Sequence, residues 1–153
     1  RMVNSKTLHK NLGYSFVPSP QADGRILGVA IRDKRNNYTI MLENGSPKLK
    51  ATMTLVHELT HIWQYLNWDA AKIKAKYGAK HNLEVYEGMA KWSEIQYAYL
   101  TNEKQTARRE EITTYLRKDE YGQGFIRYAD KYPLSTGVRL SGETPFDNPG
   151  APL

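Results

Sequence analysis

The stretch TLVHELTHIWQYL, residues 54 to 66, carries His57 and His61 four positions apart, with Glu58 directly after the first. On a helix, residues at i and i+4 lie only about 40° apart around the axis, so both imidazoles project from one face and can share one ion. A catalytic zinc takes three protein ligands, with imidazole nitrogens at about 2.0–2.1 Å, and keeps one position open for water. Glu58 projects about 100° around the helix from His57, beside such an ion rather than onto it, where a carboxylate takes a proton from water as general base. By chance, a His-Glu-x-x-His pattern is expected in a chain this short at only about the half-percent level. A metal site therefore outweighs the plainer reading, a pair of hydrogen-bonded histidines.

Around this motif, Leu55, Leu59, Ile62, Trp63 and Leu66 recur at helical spacing. They predict an amphipathic helix over 47–66 whose apolar stripe packs on the core while the histidines point elsewhere, together. Ser46 is the expected N-cap, with Pro47 at the first helical position. Upstream, RILGVAI (25–31) and NYTIMLE (37–43) flank the turn-like DKRNN and read as an antiparallel strand pair. Residues 1–25, punctuated by Pro18, Pro20 and Gly24, read as irregular chain. Downstream, 69–77 reads as a short helix ending at Gly78. A longer helix over 82–100 is capped by Asn82, with Val85, Met89, Trp92 and Tyr99 on one side and Glu84, Glu87, Lys91 and Glu94 on the other. Two more helices are expected over 104–118 and 122–132. The Pro-, Gly- and Ser-rich tail is expected to wrap the surface or stay loose.

A length of 153 residues with 40% hydrophobic content fits one domain spanning 1–153, its core over about 25–132. With no long apolar run, and no apolar segment in the opening RMVNSKTLHK, the chain reads as soluble without a membrane segment; localisation and oligomeric state stay open. The absence of cysteine excludes disulfides, thiolate nucleophiles and Cys-based zinc modules, so any metal is held by His and carboxylate. The net charge of +6 permits attraction to acidic surfaces, but the basic residues are scattered and TARREE balances itself. That pattern reads as a solvated surface rather than a nucleic-acid interface.

The third ligand comes from a later helix. Gln64 and Asn67 stand where a metzincin needs Gly and a third His, which excludes that class. The remaining candidates are His81, Glu84, Glu87 and Glu94. Glu87 is preferred because it sits a full turn inside its helix, and because Gly88 after it removes a side chain where two helices must approach to share an ion. Glu84 and Glu94 otherwise read as solvated surface or as groups orienting a ligand.

LVHELTHIWQYL, LEVYEGMAKW and YGQGF at 121–125 together resemble the peptidase domain of the plant growth-regulating, ubiquitin-activated LIM-domain peptidases and their bacterial relatives, over roughly residues 40–125. The Glu-Gly pair and the Tyr-Gly-x-Gly-Phe segment are the more specific parts. The resemblance implies an α+β, mostly helical, zincin-like metallopeptidase domain with a small antiparallel sheet. It also implies one zinc per chain in a gluzincin-like arrangement, with His57, His61 and Glu87 as ligands and Glu58 as catalytic acid/base. The plant proteins' Cys-rich modules and ubiquitin-interacting segments have no counterpart in these residues.

The expected reaction is peptide hydrolysis by a zinc-activated water, on a peptide or protein substrate. Tyr121 beside GQG, swinging in from a flexible loop, is the candidate oxyanion donor; its plainer reading is a packed core aromatic. YTIMLE would offer a sheet edge for an extended substrate. Two other functions fit the same residues: an inactive zinc-binding module kept for protein recognition, and a hydrolase of non-peptide amides.

Overall fold

The structure, a computed structural model, describes residues 1–17 and 26–153. Pro18, Pro20 and Gly24 of the expected irregular stretch, and Arg25 at the expected start of a strand, lie outside the described residues. The described residues form an α+β fold of three short strands and five α-helices, mostly helical, in the order β1 (Met2–Val3), α1 (Ser5–Asn11), β2 (Gly28–Arg32), β3 (Tyr38–Glu43), α2 (Lys48–Asn67), α3 (Ala70–Leu100), α4 (Lys104–Tyr115) and α5 (Glu120–Lys131).

The strand pair is antiparallel as expected, with Gly28 opposite Leu42 and Arg32 opposite Tyr38. The sheet as a whole is mixed, because β1 joins β3 in parallel on its other side. This corrects two expectations. The N-terminal segment is not wholly irregular: Asn4 caps α1 by accepting from the Thr7 backbone N–H, and Leu8 beneath it is fully buried. And β3 is the central strand, flanked by β2 and, at Leu42 and Glu43, by β1, so it is not the edge strand expected; among the described strands β2 is, with Ser15 meeting its outer side at Ile31.

α2 begins one residue later than expected, at Lys48. Pro47 precedes it with extended backbone, and its carbonyl accepts the Ala51 N–H; no side chain caps the helix, so Ser46 does not fill that role. Asp69 caps α3 through the Ala71 and Lys72 N–H groups. At Gly78, where φ is 82°, the chain makes the expected break, a left-handed conformation that glycine adopts without a Cβ penalty. The helix resumes directly, so Asn82 lies inside it rather than at a cap; it is buried, with Oδ1 lacking a hydrogen-bond partner.

Two apolar clusters hold the fold. The larger joins Val85, Met89, Trp92 and Ile95 of α3 to Phe125 and Tyr128 of α5, with Met53 of α2. The smaller joins Val3, Leu8, Val29, Ile31 and Met41 between the sheet and α1. α3 and α5 touch at backbone level. A Cβ on Gly88 would collide with the Gly124 backbone, and one on Gly124 with the Glu84 carbonyl oxygen. Gly88 thus serves the α3–α5 contact, not an approach of α2 to α3 as the sequence suggested. The tail is docked rather than loose. Gln96 holds Ser135 by two hydrogen bonds of 2.8 and 2.9 Å, and Phe146 packs on Trp63 at 4.8 Å between ring centroids. Among the described residues, no helix is long and apolar enough to cross a membrane.

Candidate metal centre

α2 lies between the sheet and α3, and its buried side is the polar one: Thr54, His57, Glu58, His61 and Gln64, with Met53 and Thr60. The apolar stripe was expected to face the core. Instead Leu59 and Leu66 are 49% and 60% exposed, and Trp63 is half-buried at the margin of the larger apolar cluster, against Trp68 and the tail's Phe146. The histidines do share one face, and that face points inward.

There His57, His61 and Glu87 bring one ligand atom each to within 4.8 Å of one another, all buried. His57 Nε2 stands 3.1 Å from Glu87 Oε2, and His61 Nε2 stands 3.5 Å from Glu87 Oε1. Ligand atoms about 2.0–2.1 Å from a tetrahedral ion are about 3.3–3.4 Å apart, so these spacings suit a common cation. The far side of each ring is held as well: His57 Nδ1 lies 3.2 Å from Glu94 Oε1, and His61 Nδ1 lies 2.8 Å from Gln64 Oε1. Gln64 is itself fixed, donating to the Tyr86 carbonyl at 2.9 Å. Acceptors at both Nδ1 atoms direct the Nε2 lone pairs at Glu87 once the rings are neutral, which is how ligating histidines are oriented. Two imidazoles and a carboxylate form a borderline donor set suited to zinc.

Behind His57 the support continues through Lys91, whose ammonium lies 3.0 Å from Glu94 and 3.4 Å from Glu110; Glu110 reaches Lys50 at 3.2 Å. α4 is thereby tied to the centre by a chain of alternating charges. Of the other candidates, His81 and Glu84 pair at the surface at 3.1 Å, with Arg127 3.5 Å from Glu84. Neither belongs to the cluster. Glu94 buttresses a ring instead of joining the trio.

Burial disfavours charge on every group here, and the neighbours decide the outcome. Against their burial, the imidazoles of His57 and His61 are held above the ordinary 6.5: hydrogen bonds and charge from Glu87 and Glu94 raise the first, charge and a hydrogen bond from Glu87 the second. Burial would raise Glu87 and Glu94, but the histidines pull Glu87 well below the carboxylate range, and Lys91 with His57 does the same for Glu94. Glu58 goes the other way. Burial raises it despite both histidines, with Glu87 adding to the rise and a hydrogen bond from the Ala30 backbone opposing it.

A cavity of about 420 Å³ opens onto these groups, walled by Leu27 to Val29 at β2, by α2, and by Arg117 and Tyr121. Gly28 lets the strand lie close to the helix, since a Cβ there would meet Thr54 Cγ2 at 2.8 Å and Glu58 Cγ at 3.3 Å. Tyr121 is not on a flexible loop. It sits in the first turn of α5, capped by Asp119, with its ring 6.0 Å from that of His57 and the Arg117 guanidinium 4.5 Å from its centroid. Burial, then Glu87 and Glu58, raise its hydroxyl, so the phenol stays protonated and remains a donor.

Sequence reasoning did not assign Gln64 to His61 or foresee the Lys91–Glu110–Lys50 chain. Gln64, three residues after His61 on the same helix, carried a readable signal; Glu110 comes from another helix and carried none. No family model, no curated protein and no solved structure matches this chain.

Proposed function

We propose that this chain is a zinc-dependent metallopeptidase with a zincin-like domain, of the kind its sequence resembles, holding one zinc through His57, His61 and Glu87. The observation that carries the reading is the convergence of two oriented imidazoles and a carboxylate at a cavity wall, with Glu58 alongside. Burying His57, Glu58, His61, Glu87, Lys91 and Glu94 together is costly for folding, and such clusters concentrate at functional sites. Bound there, zinc would polarise a substrate carbonyl and bring the pKa of water to about 7.

The protein's own groups would do the rest. Glu58, its proton affinity raised by burial, takes the proton from water and delivers it to the leaving amine. Tyr121, kept neutral, donates a hydrogen bond to the developing oxyanion. The outer edge of β2, which no further strand covers among the described residues, offers backbone groups to an extended peptide, which favours peptides over small amides.

The test is Glu58→Gln. The variant should retain one zinc and the fold while peptide hydrolysis falls by at least about 10²–10⁴-fold, the usual contribution of general acid/base catalysis. Equal cleavage of a peptide library by both forms, with contaminating protease removed, would refute the mechanism. Zinc bound with no turnover in either form would leave an inactive zinc-binding module.

A further inference from the structure

The outer edge of β2, opposite β3, is partly covered by the chain itself. Ser15 pairs antiparallel with Ile31, and the Phe16 N–H donates to the Ala30 carbonyl at 3.4 Å. Val17, buried, lines the same cavity as His57 and Glu58. This segment therefore lies as a short added strand heading into the cleft, where an extended peptide would lie.

Its side chains identify what the edge accepts. The Phe16 ring stacks on Tyr65 at 4.5 Å and meets Tyr38 at 5.7 Å. Tyr65 lies one helical turn beyond His61, and its hydroxyl accepts from Arg32 at the end of β2, at 3.2 Å. Both tyrosines are 44% exposed even with Phe16 in place, so the seat opens to solvent. The hold is light. The contacts described along this edge are the Ser15–Ile31 pairing, the Phe16 backbone bond and the Phe16 ring, while the Val17 N–H, on the side away from β2, bonds back to the Ser15 hydroxyl at 3.2 Å.

Resting on the peptidase reading above, we propose that Ser15–Val17 is an internal competitor at the substrate edge, and that Tyr38 and Tyr65 form a subsite for an aromatic residue on the N-terminal side of the bond to be cut. The direction follows from the antiparallel pairing: from Ser15 opposite Ile31 the segment runs toward the cavity wall formed by Leu27, Gly28 and Val29, where Gly28 adjoins Glu58, so Phe16 precedes the residue nearest the centre. A substrate strand running the same way takes over the Ala30 carbonyl and seats its own aromatic ring where Phe16 lies.

The experiment separates binding from turnover. Zinc-loaded Glu58→Gln protein, with and without Phe16→Ala, is titrated with fluorescent extended peptides that carry Phe or Ala at one position. Losing one aromatic stack should release the edge, so Phe16→Ala should tighten binding of the Phe peptide by about 2- to 10-fold. Tyr65→Ala should abolish the preference for Phe over Ala. Affinity unchanged or weakened by Phe16→Ala, in a variant whose melting temperature matches its parent, overturns the proposal.

Should Phe16→Ala fail to fold, the parent protein is titrated with the free peptides Tyr-Ser-Phe-Val and Tyr-Ser-Ala-Val. Preferential displacement of the fluorescent peptide by the first supports the subsite, and equal displacement overturns it. A zinc-loaded wild type that cleaves nothing refutes the peptidase reading without touching these binding outcomes. Cleavage that proceeds while binding ignores Phe16 refutes only this inference.

Discussion

The two faces of α2 are opposites in chemistry, and each lies where polarity alone would not put it. The face with His57, Glu58, His61 and Gln64 is buried, Gln64 completely, while Leu59 and Leu66 on the other side stand 49% and 60% exposed. A polar face can be the inner one when each of its groups finds a partner, as His61 finds Gln64 and His57 finds Glu94. The difference teaches that a helix can turn a polar, hydrogen-bonded stripe inward and leave much of its apolar stripe to solvent and to a docked tail.

The sharpest way to break this contrast is to remove ligands from the inner face. His57→Ala with His61→Ala, or Glu87→Ala alone, should abolish stoichiometric zinc binding, read by elemental analysis after gel filtration. Full occupancy in either variant would mean the inner face is merely structural.

Protons come next in size. In the metal-free protein both histidines are held above 6.5, His57 at about 10, so His57 is protonated at neutral pH and must lose its proton to bind a metal. Zinc affinity should therefore rise by about 10-fold per pH unit from the His57 proton, about 100-fold between pH 6 and 8, with matching proton release in calorimetry across buffers. The stability of the metal-free protein has the opposite sign. A histidine raised on folding stabilises fully below 6.5, and that contribution is lost as pH climbs through the folded value. Affinity flat between pH 6 and 8 would contradict the charge state assigned to the inner face.

Smaller effects are expected from the groups that hold the rings. Glu94→Ala and Gln64→Ala should each weaken zinc by about 10- to 100-fold, measured by competition with a chelator, whereas Glu84→Ala, paired outside with His81 and Arg127, should leave it unchanged. Equal losses from Glu84 and Glu94 would erase the distinction between supporting and surface acids. The smallest effect belongs to the outer face: Leu66→Ser should shift unfolding stability by no more than about 0.5 kcal/mol in a denaturant titration. A larger loss would mean that Leu66 is covered in solution.

The sequence by itself determined the local facts. Four-residue spacing on a helix fixed that His57 and His61 share a face, the branched runs fixed the antiparallel pair, and Gly78 fixed a break, because spacing, branching and missing Cβ atoms act within a few residues. Glu87 was legible as a ligand candidate from its helix, though the reason offered through Gly88 belonged to another contact, with Gly124. Only the tertiary structure decided which side of α2 is inside, that β3 is central and β2 the edge, that Tyr121 stands on a helix, and that Glu94 and Glu110 serve the centre from a distance. Those outcomes depend on which elements meet. That choice is made by the summed burial of the two apolar clusters and by pairing of charges far apart in the chain, and neither leaves a periodic trace in the residues concerned.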